Sequence, residues 1–127
     1  MSEGRILLVE DEPINREVAT MLLEDVRLAV DTAEDGLQAV DKVRDQPYDI
    51  VLMDMQMPNM DGLEAAQAIR ALPGTADLPI IAMTANAFAE DRDRCRDAGM
   101  NDFIGKPVDP QTFYGVLHKW LSSRPAT

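Results

Sequence analysis

Five side chains that could handle a phosphoryl group and a cation directly follow short apolar runs of this chain. These residues are Glu10, Asp11, Asp54, Thr84 and Lys106. Carboxylate oxygens suit Mg²⁺, which keeps several waters and shares its coordination shell with phosphate. A carboxylate can also attack phosphorus, while an ammonium and a hydroxyl stabilise the charge on the transferring oxygens. These residue types predict a phosphate-acceptor site with Asp54 as the acceptor.

Each of these residues also has a purely structural interpretation. Acids at strand ends often serve as turn or helix-cap residues. Thr84 could satisfy a backbone group, and Lys106 could be a solvated charge. A shared site is favoured because all five residues occupy the same kind of position, at the end of an apolar run.

The run before Asp54 shows which element must carry the acceptor. Ile50-Val51-Leu52-Met53 is entirely apolar, and Pro58, Asn59 and Gly62 follow closely. A run this short and abruptly ended is typical of a strand buried on both faces, which belongs to a parallel sheet covered by helices. In such sheets ligands bind beyond the carboxyl ends of the strands.

Strands and helices are predicted to alternate along the whole chain. The other predicted strands cover residues 5–9, 28–33, 80–83 and 103–105, and the second of these is less buried, as at a sheet edge. Helix starts are marked by Pro13, Asp35, the pair Asp61 and Glu64, and Asp109-Pro110. The pattern predicts an α/β fold of the doubly wound (βα)5 type, a parallel five-stranded sheet with helices on both faces.

Apolar residues at helical spacing predict which face of each helix is buried. The expected inward residues are Ile14, Val18, Met21, Leu22 and Val26 in the first helix, Leu37, Val40 and Val43 in the second, Leu63, Ala66, Ile69 and Leu72 in the third, and Phe113, Val116, Leu117, Trp120 and Leu121 in the last. The fourth helix, from about residue 89 to 98, has few apolar residues.

Composition and charge limit the classes of function. The 127 residues suit a single domain, residues 1–127 with a core of about 5–121, and a 46% hydrophobic content argues against disorder. The single cysteine, Cys95, suits a cytoplasmic location and a packing role. A net charge of −11 disfavours direct nucleic acid binding, and no apolar run is long enough for membrane insertion.

Four motifs in this order resemble the receiver domain of two-component response regulators. They are Ile6-Leu7-Leu8-Val9-Glu10-Asp11, the stretch from Met53 to Gly62, Met83-Thr84-Ala85 and Gly105-Lys106-Pro107. The resemblance covers Arg5 to about Leu121 and is greatest to receivers of hybrid sensor histidine kinases. It implies a flavodoxin-like sheet in the order 2-1-3-4-5, in a chain that is a signalling domain rather than an enzyme.

The resemblance also implies a role for each site residue in phosphorelay signal transduction. Asp54 would accept a phosphoryl group from a sensor histidine kinase or a histidine phosphotransfer domain. Asp11, Asp54 and the backbone carbonyl of Gln56 would bind Mg²⁺, with Glu10 acting through water. Thr84 and Lys106 would engage the phosphoryl oxygens. Phe103 would be a switch aromatic that follows Thr84, and the face formed by helix 4, strand 5 and helix 5 would report the state.

Other interpretations remain open from the sequence. They are a flavodoxin-like FMN binder, a metal-dependent hydrolase with an aspartyl nucleophile, and a Cu(I) site made by Met53, Met55, Met57 and Met60. The acidic sheet edge disfavours the first, and Gln56, which stands where a general acid would be needed, disfavours the second. Methionines are more often core residues, and His118 lies in no kinase motif. The sequence does not predict the parent chain or the oligomeric state.

Overall fold

Five strands and five helices alternate along the chain, as the patterning predicts. The elements are β1 (Arg5–Val9), α1 (Pro13–Asp25), β2 (Ala29–Ala33), α2 (Gly36–Asp45), β3 (Ile50–Asp54), α3 (Gly62–Arg70), β4 (Ile80–Thr84), α4 (Ala89–Asp97), β5 (Asp102–Gly105) and α5 (Pro110–Ser122). The computed structural model describes residues 4–55, 62–75, 77–84, 89–105 and 109–122, and for 89–92 the backbone alone. No helix in these ranges is both long and apolar enough to cross a membrane.

The strands form one parallel sheet in the order β2-β1-β3-β4-β5. Every residue of the central strand β3 is buried, whereas β2, at one edge, is mostly half-buried or exposed. Both the predicted sheet type and the predicted edge position of β2 are confirmed. Because all the strands run the same way, their carboxyl ends lie along a single edge of the sheet.

Helices cover both faces of the sheet over two separate cores. Neighbouring residues of β1 point to opposite faces, so that Leu8 joins one core and Leu7 the other. Helices α1 and α5 pack on the Leu8 side, with Phe113 and Leu117 buried beneath α5. Helices α2, α3 and α4 pack on the Leu7 side.

The predicted inward face of α1 is partly wrong. Ala19 and Leu23 are the buried residues of α1, and Leu22 and Val26 pack beside them. The other three predicted residues lie on the solvent side and expose much of their surface: Ile14 68%, Val18 48% and Met21 58%. Neither Ala19 nor Leu23 was predicted to face inward, so the buried face is rotated around the helix from the predicted one.

Leu37 is a second correction, because it is 50% exposed although it was expected to face inward. The buried residues of α2 are Gly36 and Ala39, while Val40 and Val43 are partly buried as predicted. In α2 the small residues are the buried ones, and the larger Leu37 lies outside the contact with the core.

Side-chain caps begin three of the helices. The carboxylates of Asp35 and Asp109 accept N–H groups from the first turns of α2 and α5, as predicted. Glu12, which was not predicted as a cap, does the same for α1 by accepting the N–H of Asn15 at 2.7 Å. The predicted cap Asp61 lies outside the described residues.

An aspartate ties each edge strand to a neighbouring element. On β2, Asp31 accepts the Tyr48 hydroxyl at 2.8 Å and pairs with Arg5 at 3.1 Å. The hydrogen bond from Tyr48 is the main reason that the pKa of Asp31 is lowered. On β5, Asp102 accepts the Trp120 indole N–H at 2.9 Å and lies 3.6 Å from the Lys119 ammonium.

The corrected packing of α1 predicts unequal costs for two truncations on one helix. Leu23→Ala removes a fully buried side chain and should lower the free energy of unfolding by about 3 kcal/mol. Met21→Ala removes a side chain from the solvent side and should change it by less than about 0.5 kcal/mol. Urea denaturation measures both, and equal losses would contradict this packing.

Candidate functional site

Three carboxylates converge at the carboxyl edge of the sheet. Oxygen atoms of Glu10, Asp11 and Asp54 all lie within 4.8 Å of one another. Glu10 and Asp54 are only 2% and 4% exposed, whereas Asp11 is open to solvent. The structure therefore brings together the three acids that the sequence predicted, with one face of the cluster accessible.

Strand register explains why these acids meet. Val9 at the end of β1 pairs with Met53 in β3, so the residues that follow each of them, Glu10 and Asp54, lie side by side at the carboxyl edge of the sheet. Carboxylates this close repel one another unless a cation lies between them. A small cluster of oxygen ligands with an open side suits Mg²⁺, which retains several waters. The acidic cluster therefore fits a metal site.

The backbone on both sides of Glu10 is held by hydrogen bonds. The Glu10 N–H donates to the Ala33 carbonyl at the end of β2, at 3.0 Å. The Glu10 carbonyl accepts Arg16 Nη1 from α1 at 3.0 Å, and Arg16 Nη2 lies 3.8 Å from a carboxylate oxygen of Glu34. This role of Arg16 was not predicted, and its position one turn into α1 is the one signal in the sequence that could have suggested it.

Gly62 is a second residue whose role at the site was not predicted. A Cβ atom at this position would lie 2.7 Å from the Asp54 carbonyl oxygen and 3.0 Å from the Met55 Cα. Real side chains do not approach a backbone this closely, so only glycine allows α3 to begin against the end of β3. The signal in the sequence was the Asp61-Gly62 pair, typical of a tight turn.

Thr84 ends β4 at the same edge of the sheet. Asp54 pairs with Met83, so Thr84 lies one residue beyond the level of the candidate acceptor. The Thr84 side chain is half-buried. Thr84 in turn pairs with Gly105, the last residue of β5. The predicted site residues Lys106 and Gln56 lie outside the described residues.

Phe103 lies on β5 beside Ala82 of β4 and is partly buried against the core under α2, α3 and α4. Cys95 of α4 is buried in the same core, which agrees with the packing role expected of it. Its Sγ lies 3.9 Å from the Sδ of Met55, the residue that follows Asp54. Helix α4 thus contacts the chain directly beside the candidate acceptor.

Of the four methionines of the Cu(I) interpretation, the structure describes Met53 and Met55. Met53 is fully buried in the core, and Met55 is partly buried against it. This is the core-packing role expected of most methionines. Met57 and Met60 lie outside the described residues.

Comparisons of the sequence with known proteins identify the family. A family model for the response regulator receiver domain matches residues 6–118. The chain is 36% identical over 127 residues to the signal transduction histidine-protein kinase BarA of Escherichia coli K12. That match covers 96% of this chain and 14% of BarA, so the chain spans a small part of this relative.

Solved structures give the same assignment. The receiver domain of sensor histidine kinase PA1611 from Pseudomonas aeruginosa PAO1, with a magnesium ion in its active site cleft, is 41% identical at a TM-score of 0.89. That match covers 95% of this chain and 99% of the other. The receiver domain of Saccharomyces cerevisiae Ssk1, co-crystallised with the histidine phosphotransfer protein Ypd1, is 25% identical at a TM-score of 0.87, covering 95% and 90%.

The family assignment sets aside the flavin-binding and hydrolase interpretations of the same sheet edge. Fold, strand order, acidic cluster and sequence similarity all agree, and the similarity extends over nearly the whole chain. The chain belongs to the response regulator receiver domain family and is a receiver domain of two-component phosphorelay systems.

Proposed function

We propose that this receiver domain accepts a phosphoryl group on Asp54 from a phosphohistidine, in a reaction that depends on Mg²⁺. The observation that carries the proposal is the cluster of Glu10, Asp11 and Asp54, with oxygens within 4.8 Å of one another. Asp54 is the central acid, at the end of the fully buried strand β3. Asp11 and Asp54 would hold the metal with the Gln56 carbonyl, and Glu10 would act through water.

The proposed step exchanges one bond to phosphorus for another. A carboxylate oxygen of Asp54 forms a bond to phosphorus while the bond between phosphorus and the donor imidazole nitrogen breaks. Mg²⁺, when bound, would neutralise charge on the phosphoryl oxygens. The Lys106 ammonium and the Thr84 hydroxyl would contact the same oxygens, and Lys106 fits this role because an ammonium is a compact charge.

Asp54 as acceptor predicts a covalent adduct that depends on that residue. Incubation with acetyl phosphate and Mg²⁺, followed by intact-mass measurement, should show one added phosphoryl group on the wild type. Asp54→Ala should show none, because the nucleophilic carboxylate is gone. Chelation of the metal with EDTA should also abolish the adduct.

Asp45→Ala is the matched control, because Asp45 is an exposed aspartate at the end of α2, away from the site. This variant should be phosphorylated like the wild type. An adduct of equal yield on Asp54→Ala would show that another residue is the acceptor and would refute the proposal.

The solvent side of α1 supports a docking surface for the phosphoryl donor. Ile14, Val18 and Met21 are spaced four and three residues apart, so they form one exposed apolar line along the helix. The line begins three residues after Asp11, so a protein bound there lies beside the acidic cluster. Exposed apolar residues in such a line are typical of protein interfaces. We propose that a histidine phosphotransfer domain occupies it, as a partner of the kind that Ypd1 is for Ssk1.

If the donor protein docks on α1, a charged residue introduced among Ile14, Val18 and Met21 should slow transfer from that protein but not from acetyl phosphate. Val18→Glu should slow transfer from a phosphorylated histidine phosphotransfer domain, selected for transfer to the wild type, by about tenfold or more, because a charge would be desolvated in the interface. Phosphorylation by acetyl phosphate, which needs no docking, should be unchanged. Leu37→Glu is the matched control, since Leu37 is an exposed leucine on the opposite face of the sheet. Equal effects of both substitutions would contradict this surface.

We further propose that phosphorylation is reported by the face made of α4, β5 and α5, through Thr84 and Phe103. Helix α4 has a thin apolar anchor, because Cys95 is the buried residue among those helical side chains that are described, 93–97. Its contact with Met55 links it to the acceptor strand. The turn after α4 has an additional contact, because the Arg70 guanidinium donates to the Gly99 carbonyl at 2.9 Å.

The proposed switch predicts a local change in amide hydrogen exchange. With Mg²⁺ and a beryllium fluoride mimic of the phosphoryl group, protection of α4 should change more than that of any other helix, because Cys95 is the one buried side chain in its described part, residues 93–97. Helix α2 serves as the internal control. Equal protection of α4 with and without the mimic would contradict the switch.

We place the domain at residues 1–127, with a core of about 5–121, and propose that it acts as a signalling module and not as an enzyme with free turnover. A cytoplasmic location stays a prediction from the sequence, supported by the single buried cysteine.

A further inference from the structure

We propose that Arg16 is a positioning residue for the metal centre, because it fixes the peptide that carries Asp11 into the site. The inference rests on the proposed function, since it assumes that the acidic cluster binds Mg²⁺. Arg16 lies on α1 and is assigned no contact with metal or phosphate. It acts through the backbone between the two neighbouring acids, Glu10 and Asp11.

The geometry explains how a guanidinium can orient a carboxylate it does not touch. The Glu10 carbonyl and the Asp11 nitrogen belong to one planar peptide unit, so a hydrogen bond to the carbonyl also limits how that plane can turn. Arg16 Nη1 donates to this carbonyl at 3.0 Å. In the preceding peptide unit, the Glu10 N–H donates to the Ala33 carbonyl at 3.0 Å. The backbone that leads into exposed Asp11 is therefore held on both sides of Glu10.

Arginine suits this position because its donors lie in one plane and can bridge two acceptors. While Nη1 binds the Glu10 carbonyl, Nη2 lies 3.8 Å from the Glu34 carboxylate, which directly follows Ala33. The side chain is 22% exposed, so water competes only partly for these contacts. The loop after β1 is thereby connected to the loop after β2 through α1.

If Arg16 acted only through its charge, its removal would change the Mg²⁺ affinity in the opposite direction. A cation near the acidic cluster repels Mg²⁺, so removing the charge alone would tighten metal binding. Loss of a hydrogen bond that holds the ligands in place would weaken it. The direction of the change in Mg²⁺ affinity therefore separates the two roles.

The test is a Mg²⁺ titration of the whole chain by calorimetry, repeated as the Mg²⁺ dependence of the melting temperature. Arg16→Met should weaken Mg²⁺ binding by about threefold to tenfold, the loss expected for one hydrogen bond. Arg16→Lys, which keeps the charge and one donor, should fall between Arg16→Met and the wild type. Phosphorylation by acetyl phosphate should need more Mg²⁺ for half-saturation, with a nearly unchanged rate at saturation.

Arg44→Met is the matched control, because Arg44 is an exposed arginine in the last turn of α2 that pairs with Asp41. It also removes one positive charge, and its Mg²⁺ affinity should stay within about twofold of the wild type because its ion pair is exposed. Asp11→Asn should lose most of the binding, because it removes a metal ligand.

Binding by Arg16→Met that is as tight as, or tighter than, that of the wild type would overturn the positioning role and leave the proposed function intact. Should Arg16→Met not fold, Arg16→Leu is read in the same way, since it also loses both the charge and the hydrogen-bond donors. A wild type that binds no Mg²⁺ would overturn both proposals.

Discussion

Mutual repulsion of three carboxylates is the constraint on which the rest of the structure depends. Glu10 and Asp54 are almost completely buried, so their charges meet with little water to screen them. The fold holds them together through the pairing of β1 with β3 and through the close approach of α3 at Gly62. Free energy from the two cores stabilises an arrangement that the acids alone would oppose, and a bound cation would relieve the repulsion.

The two sides of the sheet serve this centre differently. On one side α1 begins directly after the acids and is capped by Glu12. Its Arg16 side chain donates a hydrogen bond to the Glu10 carbonyl in the loop after β1. On the other side α4 touches Met55, beside the candidate acceptor, and Cys95 is the buried side chain among its described residues 93–97. The acidic cluster thus has a neighbouring helix on each side of the sheet, and only α1 donates a side-chain hydrogen bond to the loop after β1 among the described contacts.

Much of the fold and of the site could be predicted because both follow from local patterns. The apolar runs gave the strands, and the acids after them gave the cluster of Glu10, Asp11 and Asp54. The inward face of α1 was wrong because two apolar faces compete on this helix, and Ala19 and Leu23 face the core while Ile14, Val18 and Met21 are exposed. Arg16 was missed because its role depends on the loop after β2, which no spacing within α1 reveals.

The aspartates on the two outer strands have a consequence for neighbouring molecules. An edge strand offers unpaired backbone groups to any other extended chain. Asp31, whose pKa is lowered mainly by the hydrogen bond from Tyr48, and Asp102 place an ion-paired carboxylate on each outer strand. A strand added at either edge would have to bury that charge, so the sheet resists growing into aggregates even where many copies are crowded together.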